Sequence, residues 1–321
     1  MVSYDEYIDR VKKYYRQGKY YDTKHTTKIR NPIKKKNLFI DKEGKVLVSK
    51  VKTSKQLKTS VKKSIDLIGG LKKGGFKKSD SVLIVANFNS DDLFPATTDI
   101  KYVEAVIKIL KDYGIKKITI GNCSGVHWLP TRAVMGKLGI LALADKLKVN
   151  IACFEEEDWI KIKLNSKTLR DLSFARAIFK HDKLIYLPCM KTHRRARFTM
   201  SLKLTMGLLC IKHRVLYMHT KGIEEKVADL NKAVYPDLIL MDARKIFITG
   251  GPDKGTVRSP GLIFASGDRV AIDMVGLDYL LKYKNEDNLL YPDKKAEEYG
   301  QIKRGMKIGL GIKSRDDVRI V

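Results

Sequence analysis

The segment from residue 191 to residue 203 contains the side chains best suited to chemistry. It begins with Lys191-Thr192-His193, and cations and hydroxyls follow closely up to Lys203. A fixed cation binds an anion, and an imidazole transfers a proton near neutral pH. Since an ordinary turn requires neither side chain, this pattern predicts a site for a phosphate or carboxylate at Lys191 and His193.

Lys203 differs from a typical surface lysine because its neighbours are apolar. They are Leu202, Leu204, Met206 and Leu208. Apolar surroundings lower the pKa of a lysine, which can then act as a base, an imine former or an anion clamp. We therefore interpret His193, Lys191 and Lys203 as candidate catalytic residues, with His193 as the general acid or base. Arg194 is expected to hold the anion together with the two lysines.

The elements that must position these residues have the periodicity of an α/β protein. Short apolar strands are predicted at 82–86, 118–120, 150–154, 184–187, 238–241 and 262–265. Helices are predicted at 99–113, 131–147, 168–180, 223–234 and 269–282. Because continuously apolar strands need cover on both faces, this order predicts a doubly wound, mostly parallel sheet with helices on both faces.

Two shorter regions flank this pattern. Residues 1–75 are predicted to form a helix (3–17), a β-hairpin (37–48) and a second helix (54–68), all packing on an α/β domain of residues 76–321. Near the carboxyl terminus, the sequence predicts a short helix around 293–300 and a last strand at 318–321.

Polar side chains follow most of the inner strands, where an open parallel sheet binds its ligands. With the hydroxyls of the 191–203 segment and a later histidine, they give the residues expected to contact substrate: Asn87, Asn89, Asn122, Ser124, Arg194, Thr199, Ser201, His219, Asp242 and Asp268. Asp242 or Asp268 is also expected to fix His193 or a bound cation. Alternatively, Asn87, Ser124 and both aspartates could cap helices or turns.

The charge of the chain leaves a second class of function open. With 64 Lys and Arg against 36 Asp and Glu, the net charge is +28, which attracts phosphates and other acidic partners. A nucleic-acid-binding protein would use the 191–203 segment and a basic amino-terminal region, Lys24, Lys28, Arg30, Lys34, Lys35 and Lys36. A ligand-binding or scaffold protein without turnover is a third alternative. Lysines are nevertheless scattered along the whole chain, whereas a nucleic-acid surface should be clustered.

Motifs for the common cofactors are missing from the sequence, and no cofactor is predicted. The four cysteines are far apart, which argues against an iron-sulfur cluster or a structural zinc. A divalent metal held by His193, His213 and His219 remains an alternative. The loop Gly250–Gly255 lacks the final Gly-Lys-Ser/Thr of a phosphate-binding loop, and the strand 82–86 is followed by Asn-Phe-Asn instead of a dinucleotide fingerprint.

The first residues do not resemble a secretory signal, and no apolar run approaches the roughly 18 residues of a membrane span. We therefore expect a cytoplasmic protein with reduced cysteines and no membrane partner. The oligomeric state is not predicted.

A set of short motifs, spread in order over residues 80–282, resembles one known family. They are Ala86-Asn87-Phe88-Asn89, Ala96-Thr97-Thr98-Asp99, Gly121-Asn122-Cys123-Ser124-Gly125, Leu187-Pro188, Lys191-Thr192-His193, Ser201-Leu202-Lys203, Met206-Gly207, His219, Asp229-Leu230, Pro236-Asp237-Leu238, Asp242, Gly251-Pro252 and Asp268-Arg269-Val270-Ala271-Ile272-Asp273. On these motifs the chain resembles the domain of unknown function 362 family. Membership of that family implies an α/β fold but does not settle a function.

The chain departs from the family pattern at two positions. Asn122 stands where the family usually has Asp, and Leu204 stands where Asn commonly follows the lysine. The ferredoxin-like domain with clustered cysteines that many relatives carry has no counterpart in this sequence, so the resemblance implies no electron-transfer role. The family is also distantly similar in layout to the nickel-pincer lactate racemase, but the cofactor residues of that enzyme do not match this chain one by one.

Overall fold

Strands and helices alternate along the chain in the computed structural model, which describes residues 26, 28–125, 129–218 and 220–321. The strands are β1 Val46–Lys52, β2 Ser81–Ala86, β3 Lys117–Asn122, β4 Asn150–Cys153, β5 Trp159–Ile162, β6 Leu172–Ala175, β7 Lys183–Leu187, β8 Cys189–His193, β9 Arg197–Thr199, β10 Leu238–Phe247, β11 Val257–Arg258, β12 Leu262–Ser266 and β13 Val318–Ile320. The helices are α1 Leu57–Leu67, α2 Gly70–Lys73, α3 Ile100–Tyr113, α4 Thr131–Lys137, α5 Ile140–Leu147, α6 Ser201–Leu204, α7 Ile211–His213, α8 Ile223–Leu230, α9 Arg269–Leu280 and α10 Gly300–Lys307. The helix predicted at 3–17 lies outside the described residues.

The main sheet is mixed but mostly parallel in its central part, which confirms the predicted fold class. Its strand order is β13-β1-β12-β10-β7-β2-β3-β4. The run from β10 to β4 is parallel throughout. At the other edge, β12 is antiparallel to both β10 and β1. None of the described helices combines the length and the apolar character needed to cross a bilayer.

Strand β2 explains why the sheet needs helices on both faces. Val82 and Ile84 pack into the apolar cluster on one face, and Leu83 and Val85 pack into the cluster on the other. All four side chains are buried, so successive positions from Val82 to Val85 are apolar instead of every second one.

One of the helices that cover the sheet, α3, begins after Asp99, whose carboxylate accepts a hydrogen bond from the Lys101 N–H.

Several predicted elements differ from the structure. The helix predicted at 168–180 is wrong: this segment contains β6, which pairs antiparallel with β5, and a 3-10 turn at Arg176–Phe179. The helix predicted at 131–147 is divided into α4 and α5 by Gly139, whose φ of 75° breaks the helix. The expected hairpin at 37–48 has a single antiparallel bridge, between Ile40 and Val46. The segment around 293–300 contains the 3-10 turn Ala296–Glu298, and α10 begins only at its end.

The path of the chain after β7 determines where the candidate residues lie. Pro188 ends β7, and β8 continues in nearly the same direction, with both strands paired parallel to the long strand β10. Lys191 and His193 therefore lie within a strand and not in a loop after one. The chain then reverses, so that β9 pairs with β8 and places Thr199 opposite Lys191.

Candidate functional site

A cavity of about 610 Å³ opens at the carboxyl ends of β2, β3 and β7. Its walls come from the residues after β2, the end of β3, strand β8, helix α6 and the loop around Pro252. The predicted site residues on these walls are Asn87, Asn89, Asn122, Lys191, His193, Arg194, Thr199 and Lys203. Sequence segments that are far apart thus meet at the edge where parallel sheets bind ligands.

Lys191 is almost completely buried in the cavity wall, with 1% of its surface exposed. Its ammonium donates hydrogen bonds to the carbonyl oxygens of Ala96 and of Pro252, the latter at 2.8 Å. Burial lowers the pKa of Lys191 to about 8, although Cys189, Asp253 and Asp92 act in the opposite direction. The side chain therefore joins two loops of the cavity and adds a positive charge to its wall.

Lys203 lies on the same wall but is bonded differently. Its ammonium has no hydrogen-bond partner among residues 28–125, 129–218 and 220–321, and its side chain is only partly exposed. Burial, followed by the nearby charges of Lys191, Arg214 and Arg195, lowers its pKa to about 7. Near neutral pH this amine exchanges a proton readily.

The position of Lys203 is fixed through the start of helix α6. The N–H groups of Ser201 and Leu202 each donate a 2.8 Å hydrogen bond to the carboxylate of Asp273, on helix α9. The carboxylate thus satisfies backbone groups that a helix leaves unpaired at its amino end. Lys203 is thereby held against the cavity by a buried contact between two helices.

His193 is held in one orientation by its own loop. Its Nδ1 accepts hydrogen bonds from the N–H groups of Arg195, at 3.1 Å, and Ala196, at 3.2 Å. Since Nδ1 is an acceptor, a neutral imidazole must carry its proton on Nε2. A second proton on Nδ1 would break both hydrogen bonds. The arrangement makes His193 a hydrogen-bond donor through Nε2.

Arg214 is a cavity residue that the sequence analysis missed. It is 4% exposed, and its guanidinium donates to the carbonyl oxygens of Ser124 (2.7 Å), Cys123 (3.1 Å) and Leu209 (3.0 Å). No carboxylate forms an ion pair with it among the described residues. The one signal in the sequence was an arginine directly before the apolar residues Val215 and Leu216.

Two asparagines of the cavity also have structural roles. Asn122 donates a 2.6 Å hydrogen bond to the Ala86 carbonyl and accepts one from the Cys123 N–H at 2.7 Å, so its amide links β2 to β3. A Cβ on Gly207 would lie 2.4 Å from the Asn122 Oδ1, and a Cβ on Gly125 would lie 1.8 Å from the Asn89 Oδ1. At Gly207 the clash is costly because the Asn122 amide is fixed by its two hydrogen bonds, whereas at Gly125 the Asn89 side chain would have to rotate.

Four predicted site residues do not line the cavity. Asp242 binds Arg244, with the closest contact at 2.6 Å, and Asp268 caps helix α9 through the N–H groups of Val270 and Ala271. Neither carboxylate reaches His193. The Ser124 hydroxyl donates to the Asn89 carbonyl, and the Ser201 backbone binds Asp273. Asp242 was misplaced because β10 does not end at residue 241 but continues to Phe247. His219 lies outside the described residues.

Cysteine and histidine do not gather into a metal site within the described part of the chain. There, no three side chains of His, Cys, Asp or Glu converge. The Nδ1 of His213 accepts a 2.9 Å hydrogen bond from the Ser173 N–H. Cys123 and Cys189 line the cavity as buried thiols, and burial raises the pKa of Cys189 to about 11. A thiol with so high a pKa is a weak nucleophile at neutral pH.

Comparison with known proteins identifies a sequence relative and a distant structural neighbour. A thylakoid-associated protein of Synechocystis sp., sll1697, is 26% identical over 232 residues, which are 70% of each chain. The lactate racemase apoprotein from Thermoanaerobacterium thermosaccharolyticum is a solved structure with a TM-score of 0.35 and 15% identity. That match covers 67% of this chain and 55% of the racemase, so the chain spans little more than half of that protein.

A family model matches more than half of the chain. The match runs over residues 82–278 and so includes the strands, helices and loops that form the cavity. The chain therefore belongs to the family described as Domain of unknown function (DUF362).

Proposed function

We propose that the cavity binds a small anionic substrate, a carboxylate or a phosphate, and that the protein is an enzyme acting on it. The observation that carries this proposal is a set of cavity cations that form no ion pair among the described residues, although Asp92 and Asp253 also line the cavity. Lys191, Lys203 and Arg214 line one cavity, and none of them pairs with a carboxylate in the described part of the chain. Buried charges are normally paired, so an anionic ligand is the missing partner.

The side chains suggest a division of roles. Lys203 is the better acid or base, because its pKa of about 7 lies near the working pH. His193 is better suited to donate a hydrogen bond from Nε2, because its Nδ1 is occupied by two backbone N–H groups. Lys191 and Arg214 would hold the anion. This assignment moves the proton-transfer role from His193, where the sequence analysis put it, to Lys203.

The nucleic-acid alternative has less support. Lys191 and His193 are 1% and 5% exposed and line the cavity, where a small anion fits but a phosphodiester backbone on the outer surface does not reach. Lys35, from the basic amino-terminal region, pairs with Asp237 and binds the Asp182 carbonyl, beside the amino end of β7. The cavity lies at the carboxyl end of the same strand. A nucleic-acid surface would need both basic segments on one face.

For the location of the protein we propose the cytoplasm. All four cysteines are free thiols buried in the protein, as suits a reducing compartment.

Calorimetric titration of the full chain with inorganic phosphate and with oxalate, at low ionic strength, tests the anion site. We expect binding in the cavity, weakened roughly 10- to 100-fold by Lys203→Met, because a charge-assisted contact contributes about 1.5–3 kcal/mol. Lys254→Met, which removes an exposed lysine of the neighbouring loop, is the matched control and should bind like the parent. Equal affinities for all three proteins would refute the proposed site.

A further inference from the structure

We propose that Lys203 forms an imine with the carbonyl carbon of its substrate, and that the substrate is a small oxo acid. The inference rests on the anion site proposed above and adds the substrate class. Three features of the cavity support it: Lys191 and Lys203 differ in their hydrogen bonding, cations surround Lys203, and one part of the wall is apolar.

The two lysines differ in whether the nitrogen can attack a carbonyl. The Lys191 ammonium is held by the carbonyl oxygens of Ala96 and Pro252 and is suited to remain a cation. The Lys203 nitrogen has no hydrogen-bond partner among the described residues, and Lys203 is one of the residues that line the cavity. A nucleophilic amine needs a lone pair directed at the reacting carbon, and Lys203 is the lysine whose nitrogen no protein carbonyl occupies.

The surroundings of Lys203 favour the neutral amine. Its pKa falls from 10.5 to about 7 through burial and the charges of Lys191, Arg214 and Arg195. At pH 7 about half of such an amine is neutral, whereas an ordinary lysine is neutral in fewer than roughly one molecule in a thousand. Proximity of cations is a known way to activate an imine-forming lysine.

The same cations select a carbonyl compound that also has a carboxylate. Lys191 and Arg214 would bind the carboxylate, and the bound negative charge would then balance the positive iminium. Met200, Leu204 and Met206 form an apolar part of the wall, which suits an alkyl side chain. A cavity of about 610 Å³ has room for a ligand larger than a three-carbon oxo acid.

The step balances without an oxidant or reductant. The neutral Nζ of Lys203 attacks the carbonyl carbon, and the carbonyl oxygen takes up a proton to give a carbinolamine. A proton leaves the nitrogen, the hydroxyl is protonated, and water departs as the C=N bond forms. His193, which lines the same cavity and carries a proton on Nε2 when neutral, would donate a hydrogen bond to the departing oxygen.

The test is reductive trapping on the intact protein. The full chain is incubated at pH 7 with 2-oxobutyrate and cyanoborohydride, digested, and mapped by mass spectrometry. We expect the reduced adduct on the peptide containing Lys203, at least tenfold above the adduct on any other lysine. Lys203→Arg should abolish it, and Lys254→Arg should retain it. Butanone, which lacks the carboxylate, should give at least tenfold less adduct.

Three outcomes would overturn the imine. Labelling spread evenly over exposed lysines contradicts it, and the parent protein alone reveals this even if Lys203→Arg fails to fold. Binding of 2-oxobutyrate and of oxalate in the calorimeter, without any adduct, would reject the imine while leaving the anion site standing. Absence of both binding and adduct would reject both proposals together.

Discussion

Two buried charged regions of this protein differ in how their charges are compensated. On one side of β10, the Arg244 guanidinium lies 2.6 Å from Asp242 and 2.7 Å from Asp99, and it stacks over the rings of Phe94 and Tyr102. In the cavity, the cations line a volume of about 610 Å³ without a carboxylate bound to any of Lys191, Lys203 or Arg214 among the described residues. The first arrangement is complete within the protein, whereas in the second we propose that an anionic ligand supplies the missing charge.

The largest expected effect is the removal of the cation from the compensated region. Arg244→Met leaves Asp242 buried and unpaired, which should lower the free energy of unfolding by about 3–5 kcal/mol. Chemical denaturation measures this loss. Lys203→Met is the comparison in the cavity, where removal of an uncompensated charge should leave the stability at pH 7 unchanged or higher. A larger loss for Lys203→Met than for Arg244→Met would reverse the contrast between the two regions.

The second-largest loss of stability is expected at Gly207, where the backbone passes close to the Asn122 side chain. Gly207→Ala places a Cβ 2.4 Å from the Asn122 Oδ1, and that amide cannot move without losing its hydrogen bonds to Ala86 and Cys123. We expect a loss of about 1–3 kcal/mol in thermal or chemical unfolding. Gly136→Ala is the control, because the nearest atom to its added Cβ lies 3.6 Å away, and helix α4 should tolerate it. Similar losses for both variants would show that the contact with Asn122 is unimportant.

The pH dependence of stability distinguishes the cavity lysines from ordinary ones. The folded-state pKa of Lys203 is about 7, below the value of 10.5 for the unfolded chain. Between these values the unfolded chain binds more protons, so the free energy of unfolding should rise as the pH increases from about 7 to 10.5. Lys203→Met should reduce this rise in denaturation curves measured at several pH values. An unchanged slope would place the pKa of Lys203 near that of an exposed lysine.

The smallest effect is expected for an exposed ion pair at the cavity rim. Arg194 and Asp253 are separated by 2.8 Å, and their side chains are 49% and 38% exposed. Arg194→Ala should change the free energy of unfolding by less than about 1 kcal/mol, because such pairs are well screened by solvent. A loss comparable to that of Arg244→Met would mean that the exposed Arg194–Asp253 pair stabilises the protein as much as the less exposed Arg244–Asp242 pair.

The sequence predicted secondary structure correctly where local residue types determine it. The continuous apolar runs of β2 and β7 predicted buried parallel strands, and Gly114 after α3 marked a helix end with a φ of 101°. The segment 168–180 was misread, because a short apolar pattern does not distinguish a helix from a strand such as β6, which is defined only by its partner β5. Asp242 was misplaced because charged residues interrupt β10 without ending it.

The candidate site could be predicted only in part. Lys191, His193 and Lys203 were chosen because lysine and histidine are unusual in such surroundings, and the cavity contains all three. Arg214 could not be found in this way, because its partners are the backbone carbonyl oxygens of Ser124, Cys123 and Leu209. The sequence shows that every residue has a carbonyl, but not which carbonyl oxygens will converge on one guanidinium.

The most direct test is an NMR titration of the Lys203 side chain in protein labelled with ¹³C-lysine, with Lys203→Arg used to assign the signal. Without ligand, the signal should titrate near pH 7, because burial and neighbouring cations lower the pKa of Lys203. Addition of oxalate should raise the pKa, since an anion in the cavity stabilises the charged amine. A titration near pH 10.5 that oxalate leaves unchanged would contradict the claim that the cavity lysine is partly neutral without ligand and is charged when an anion binds.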